Sequence, residues 1–382
     1  MQKGIRKWAA RVWDVSRDLY EHPETGGEER HASASWSNLL QEGGFSVKRG
    51  LCGLETAFSA ESGAGSGPAY ALLAEYDALP RMGHGCGHNL SGAMSVLAAL
   101  ALAYSGSEGR IVVFGTPAEE TDGAKVHLSK QGAFDNCGLA AMIHCGNETV
   151  VPYRSLAIDA LSFRFTGKSA HAAGAPWEGK NALNALRLMF HAVDMLRQHA
   201  PPAARIHGVV AAGGDAPNVI PSFAEGRWYV RAPHRQELDR VVRRVVLCAE
   251  GAAIATETTM EYSPFELSFD AMRPNRAAEE ALAELFRDCG ETVSFDEEPR
   301  GSSDVGDVSN VCPAVHPFLK ITRRPVSLHT PEFADATITG FARKKMKIGA
   351  QVLAELGRRF LEDDHFRKMV AADFAKNSKK SR

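Results

Sequence analysis

The stretch Gly83-His84-Gly85-Cys86-Gly87-His88-Asn89 puts a thiol and an imidazole two positions apart in a glycine-rich loop. Such a loop lets the backbone bend until a thiolate and an imidazole converge on one cation. Further along stand the paired acids Glu119-Glu120 behind a Thr-Pro bend, then His144, then His329. A two-metal hydrolase needs ligands for two ions roughly 3.5–4 Å apart, a shared water, and a carboxylate base within reach of it. The inventory matches. Cys86 could bridge as thiolate, His88, His144 and His329 offer neutral imidazoles, and Glu120 offers a carboxylate. Glu119 could then take a proton from the water and deliver it to a leaving amine.

Taken singly, each of these residues has an ordinary structural reading. A buried Cys fills a core, adjacent acids suit a solvated helix N-terminus, and a His at a strand end often only packs. His84, His127 and His316 keep that reading. Their neighbours differ because the surrounding pattern brings them to one place. Apolar runs at 69–76, 110–115 and 139–143 read as buried strands, and the alanine-rich run 90–104 as a core helix. Cys86/His88, Glu119/Glu120 and His144 each follow one of those strands. The C-terminal edge of an open α/β sheet is where ligands usually bind.

From residue 159 the character changes. Alternating strands are expected near 161–167, 205–212, 222–231 and 258–267, with amphipathic helices at 181–198 and 236–253. That βαββαβ order is a ferredoxin-like α+β unit. The sequence thus predicts an α/β domain, 1–158 with 272–382, holding a mixed, largely parallel sheet flanked by helices. The unit 159–271 is inserted into it. A length of 382 residues suits two domains. Beyond the insert, 276–289 reads as a helix, 301–307 as a loop, and 338–362 as the final helix.

A net charge of −2, from 44 basic and 46 acidic residues, supplies no field for nucleic acid. No apolar run approaches the roughly 18 residues of a membrane span. Seven cysteines lack a framework spacing, and the N-terminus has no apolar stretch after its charges, so a cytoplasmic protein with free thiols is expected.

His84-Gly-Cys-Gly-His-Asn89 resembles the His-x-Cys-Gly-His-Asp/Asn signature of aminoacylase-type dinuclear metallopeptidases. These include hippurate hydrolases, auxin-conjugate amidohydrolases and p-aminobenzoyl-glutamate hydrolases. The likeness continues in order through His22-Pro-Glu, Glu75-Tyr-Asp-Ala-Leu-Pro80, Pro117-Ala-Glu-Glu120 and Lys168-Ser-Ala-His-Ala-Ala173. It ends with Gly213-Gly-Asp-Ala-Pro-Asn-Val-Ile-Pro221, Gly301-Ser-Ser-Asp-Val-Gly-Asp-Val-Ser309 and His329-Thr-Pro-Glu332. The resemblance implies Cys86, His88, Glu120, His144 and His329 as ligands of two Mn²⁺ or Zn²⁺ ions, with Glu119 as general base. It implies that Asp77 orients a ligand histidine. It further implies a homodimer in which His171, on an inserted lid and dimerisation domain, supports the oxyanion at a partner's site. Asn218 and Arg231 resemble positions that hold a substrate carboxylate.

The commonest signature ends in Asp, and Asn89 departs from it toward the p-aminobenzoyl-glutamate and β-alanyl dipeptide branch. Trp177 is expected to pack. The expected reaction is amide hydrolysis in a small N-acyl or N-aroyl amino acid or dipeptide. The alternatives are an arylamine aminohydrolase releasing ammonia, or a catalytically silent metal-binding protein.

Overall fold

The protein is described by a computed structural model over residues 1–299 and 301–380. The chain divides into two compact units, Met1–Arg154 with Met272–Arg382, and Ser155–Ala271.

In the first unit the strand Ala69–Ala74 lies near the centre of a six-stranded sheet. Its order is Ser46–Arg49, Phe58–Ser62, Ile111–Gly115, Ala69–Ala74, Cys137–Ala141, Ala314–Val315. The first two junctions are antiparallel and the remaining three parallel. Alternate residues of the central strands enter two different cores. Tyr70, Leu72, Ile111 and Val113 join one, while Ala71, Leu73, Val112 and Phe114 join the other. A strand buried on both faces must be apolar throughout, which is why these runs show no polar alternation. Truncating Leu72, fully buried, to Ala would cost about 2–5 kcal/mol.

The helix His88–Tyr104 packs on one face of this sheet, between the helices Gln2–Glu21 and Gly340–Glu362. It is buried from His88 to Leu102, so it is apolar all round. Gly92 lets its first turns approach the strand end, because a Cβ there would lie 2.4 Å from the Glu75 carbonyl oxygen.

The inserted unit is an antiparallel sheet in the order Thr259–Pro264, Ala157–Thr166, Phe223–Ala232, Arg205–Ala212. Helices Ala182–Arg197 and Arg235–Ala255 pack with Ala224, Trp228, Val230 and Ala232 in its core. Arg227, Tyr229 and Arg231 alternate with those residues onto the opposite face.

Several elements differ from expectation. The third strand ends at Ala141, and His144–Gly146 pairs in parallel with Phe318–Lys320 in a second small sheet. The helix Val305–Val311 starts inside the stretch read as a loop. The C-terminal region holds Pro331–Thr337, Gly340–Glu362 and Asp364–Lys380 in place of one helix. Thr330 and Thr339 each cap the helix that follows, accepting from the Phe333 and Ala342 N–H groups, and so break the run. Trp177 sits on a short 3₁₀ turn and is 77% exposed, so it does not pack within the chain.

Candidate metal centre

Four chain segments of the first unit bring the candidate ligands together, and all but the one carrying His144 depend on a left-handed backbone. Gly87, between Cys86 and His88, has φ +89°, and a Cβ there would lie 2.7 Å from that of Cys145. Ala118, just before the paired acids, is held at φ +56°. Its N–H donates to Glu29 Oε1 at 2.7 Å. His329 is left-handed as well, at φ +60°, and its N–H donates to the Gly85 carbonyl at 2.9 Å. Non-glycine residues in this region are strained and persist where their surroundings fix them.

The ligand atoms of Cys86, His88 and His144 lie within 4.8 Å of one another, and so do those of Cys86, Glu120 and His329. Cys86 belongs to both sets, as a bridging thiolate must. Its Sγ is 3.4 Å from His144 Nε2, and Glu120 Oε1 is 3.6 Å from His329 Nε2. A third set joins His88, Glu119 and Glu120, so the proposed base lies beside the ligands.

Both buried imidazoles turn their Nε2 atoms inward. His144 Nδ1 donates to the Cys145 carbonyl at 2.9 Å, which leaves Nε2 as a lone pair. His88 Nδ1 donates to Asp77 Oδ1 at 2.9 Å, which aims its Nε2 at the same place, where a bound cation would displace the proton. Asp77 also uses its second oxygen, which accepts from the Glu120 N–H at 2.9 Å. One carboxylate therefore fixes two candidate ligands.

The electrostatics suit cations. Burial pushes the Cys86 thiol well up, so a thiolate there requires a neighbouring cation. Burial lowers His144 to about 3, keeping the imidazole neutral. Burial also opposes charge on His88, but Asp77, Cys86 and Glu75 outweigh it and lift that group well above its ordinary value. Glu119 is raised by burial and by the charges of Glu75, Glu120 and Asp304. His88 Nε2 and Glu120 Oε1 are buried and make no hydrogen bond. Unpartnered buried donors in a field that favours positive charge fit a pair of divalent ions.

Asn89 has a local explanation. Its Nδ2 donates to the Ser16 carbonyl at 3.2 Å and to Thr337 Oγ1 at 3.1 Å, tying the metal-loop helix to its neighbours. An Asp carboxylate there would face the Ser16 oxygen with no proton to offer.

His84 Nε2 lies 3.1 Å from the Leu19 carbonyl, His127 Nε2 lies 2.9 Å from the Cys52 carbonyl, and His316 stacks near His144 and Tyr153. On the inserted unit, His171 and Asn218 are neighbours: His171 bridges to Val219, and the Ala172 N–H donates to the Asn218 carbonyl. Arg231 lies eight residues along its strand from Phe223, roughly 27 Å at 3.4 Å per residue. It lies over the Tyr229 ring at 5.5 Å.

Four supporting residues have no role expected from the sequence. They are Glu29, Glu75, Lys125 and Asp304, all buried. Glu75 and Asp304 stand inside the motifs Glu75–Pro80 and Gly301–Ser309, which is the signal the sequence offers. Lys125 and Glu29 carry no such signal.

A family pattern described as a peptidase dimerisation domain matches residues 158–257. The Xaa-Arg dipeptidase of Mus musculus is 35% identical over 352 residues, covering 87% of this chain and 81% of that protein. A p-aminobenzoyl-glutamate hydrolase polypeptide of Escherichia coli is 34% identical over 303 residues, covering 73% and 63% respectively. In fold, the chain is similar to a Bacillus subtilis dinuclear metal-binding peptidase of the M20 family, with TM-score 0.72 and 21% identity. That match covers 94% of this chain and 99% of the other. No helix among the described residues is long and apolar enough to cross a membrane. At this identity over most of both chains, and with the dimerisation-domain match, the chain belongs to the M20 family of metallopeptidases and amidohydrolases, which hydrolyse amide C–N bonds.

Proposed function

We propose that this protein uses two divalent ions, Mn²⁺ or Zn²⁺, to hydrolyse the amide bond of a small substrate ending in a carboxylate. A dipeptide or an N-aroyl amino acid fits this description. The observation that carries the reading is Cys86 shared between two ligand sets, with Glu119 beside them. Cys86, His88, Glu120, His144 and His329 would hold the ions. When bound, these supply Lewis acidity toward the scissile carbonyl and the attacking water.

Glu119 takes the proton of that water and passes it to the leaving amine; its raised proton affinity suits both halves of the task. Asp77 keeps His88 and Glu120 aimed. His171 is assigned the oxyanion. Its Nδ1 accepts the Gly174 N–H at 2.9 Å, so the imidazole proton resides on Nε2 and can be donated outward. Asn218 is assigned the substrate carboxylate; Arg231, roughly 27 Å along its strand from Phe223, would share it from the other subunit of the homodimer, a task that a guanidinium fork suits. The match to a peptidase dimerisation domain supports a homodimer.

The test is a substrate panel of Xaa-Arg and β-alanyl-lysine dipeptides, p-aminobenzoyl-glutamate, hippurate and an anthranilate, assayed with added Mn²⁺. Release of an amino acid by wild type, abolished in Glu119→Ala, is expected. Ammonia from the anthranilate alone would replace this reading with aromatic deamination.

A further inference from the structure

Lys125 is the one lysine or arginine in the fully buried class among the described residues. It lies on the short helix Ala124–Lys130, where a lysine would ordinarily face water. A buried ammonium is costly unless it is paired and hydrogen-bonded. Here its Nζ lies 2.7 Å from Glu75 Oε1 and 2.7 Å from Asp304 Oδ1. Its backbone N–H donates to the other Asp304 oxygen at 3.0 Å. Asp304 occupies the N-cap position of the helix Val305–Val311, yet its side chain makes no capping bond there. It is turned to Lys125 instead.

The arrangement continues into the metal centre. Glu75 Oε2 is 3.5 Å from His88 Nε2, the nitrogen that Asp77 leaves free for a metal. Carboxylate oxygens of Glu75, Asp304 and Glu119 lie within 4.8 Å of one another. The Lys125 ammonium thus pairs with two members of a three-carboxylate cluster whose third member is the proposed base. Glu75, Asp77, Glu119, Glu120, Asp304 and a Cys86 thiolate carry more negative charge than two divalent ions neutralise. Lys125 adds a positive charge that cannot dissociate.

We propose that Lys125 is a positioning residue of this centre, a tethered cation that holds the Glu75 and Asp304 carboxylates in place beside His88 and Glu119. The inference rests on the two-metal reading above and deepens it. Removing Lys125 alone strands two buried carboxylates, so Lys125→Met is expected to lower thermal stability. That result alone would not separate positioning from simple charge pairing.

The decisive variants are therefore Glu75→Gln/Lys125→Met/Asp304→Asn, which removes the buried charges together, and Lys125→Arg, which keeps the charge but moves its centre. Full-length protein loaded with Co²⁺ is measured for bound metal, for the visible absorption of the thiolate-ligated ion, and for kcat and KM. Both variants are expected to bind Co²⁺ with a shifted spectrum and a kcat lowered roughly 10–100-fold. KM should move by less than about threefold, because the substrate contacts are untouched. A wild-type spectrum with wild-type kcat in whichever variant folds would overturn the proposal. Wild type that neither binds Co²⁺ nor turns over any substrate would instead overturn the two-metal reading.

Discussion

In the catalytic unit Glu75, Asp77, Lys125 and Asp304 are each at most 1% exposed, and every one reaches a titratable neighbour through its side chain. In the inserted unit His171 and Asn218 lie on an exposed segment and are tied mainly through backbone bonds and bridges. One set is aimed by burial and a closed polar network before any ligand arrives. The other has its backbone fixed while its polar groups face out. The contrast separates the residues proposed to build the centre from those proposed to meet the substrate. It also implies different responses to mutation: loss of a buried member disturbs folding, metal and chemistry together, whereas loss of an exposed one disturbs chemistry alone.

The sharpest way to break this comparison is Glu119→Gln. The amide is isosteric and cannot shuttle a proton, so kcat is expected to fall roughly 10²–10⁴-fold. Metal content, read by elemental analysis, should stay at the wild-type value. Loss of metal along with activity would make Glu119 a ligand rather than a base. Next comes His171→Ala. An oxyanion donor removed should lower kcat by roughly 10²–10³-fold. As an exposed residue it should change stability by less than about 0.5 kcal/mol. A variant with unchanged kcat and a depressed melting temperature would reverse the contrast between the two units. Asp77→Asn should have a smaller effect, roughly 10–100-fold in metal affinity. The amide can still accept from either His88 or the Glu120 N–H but carries no charge. Competition with a metal-sensitive dye would show it, and unaltered affinity would leave Asp77 with a purely architectural role.

The candidate ligands could be picked out in the sequence because they lie in short motifs next to strongly apolar runs, and a strand buried on both faces announces itself. The supports could not be read in this way. Lys125 and Asp304 meet across 179 positions, and nothing local to either foretells the other. A lysine on a short helix reads as a solvated one, and Asp304 in a Gly-Ser-Ser-Asp stretch reads as part of a loop. The strand ending at Ala141 rather than Ile143 has the same origin. His144 is taken up by a partner strand, Phe318–Lys320, far along the chain. Tertiary pairing overrides the apolar pattern there. The βαββαβ insert was legible because its alternation and helix spacing are repeated by every element.

Glu29 provides the smallest and most selective test. Its Oε1 holds the Ala118 N–H at 2.7 Å and its Oε2 the Thr56 hydroxyl at 3.1 Å, supporting the left-handed turn that precedes Glu119. Burial, with the nearby Asp77 charge, raises this carboxyl to about 7 against the pull of the backbone N–H groups. Since the folded value lies above the ordinary 4.5, the native state binds the proton more tightly than the unfolded chain. The contribution is therefore fully present below about pH 4.5 and is lost as pH rises through about 7. Glu29→Gln retains an acceptor for Ala118 but does not titrate. In chelator, urea unfolding at pH 5 and pH 8 should show wild type losing on the order of 2 kcal/mol more than the variant. With metal restored, kcat of the variant should stay within about threefold of wild type, because the turn is still held. Parallel stability curves would mean that Glu29 is already charged in the folded protein. Its grip on Ala118 would then be an ionic one, and Glu29 would belong with Asp77 among the charged supports of the centre.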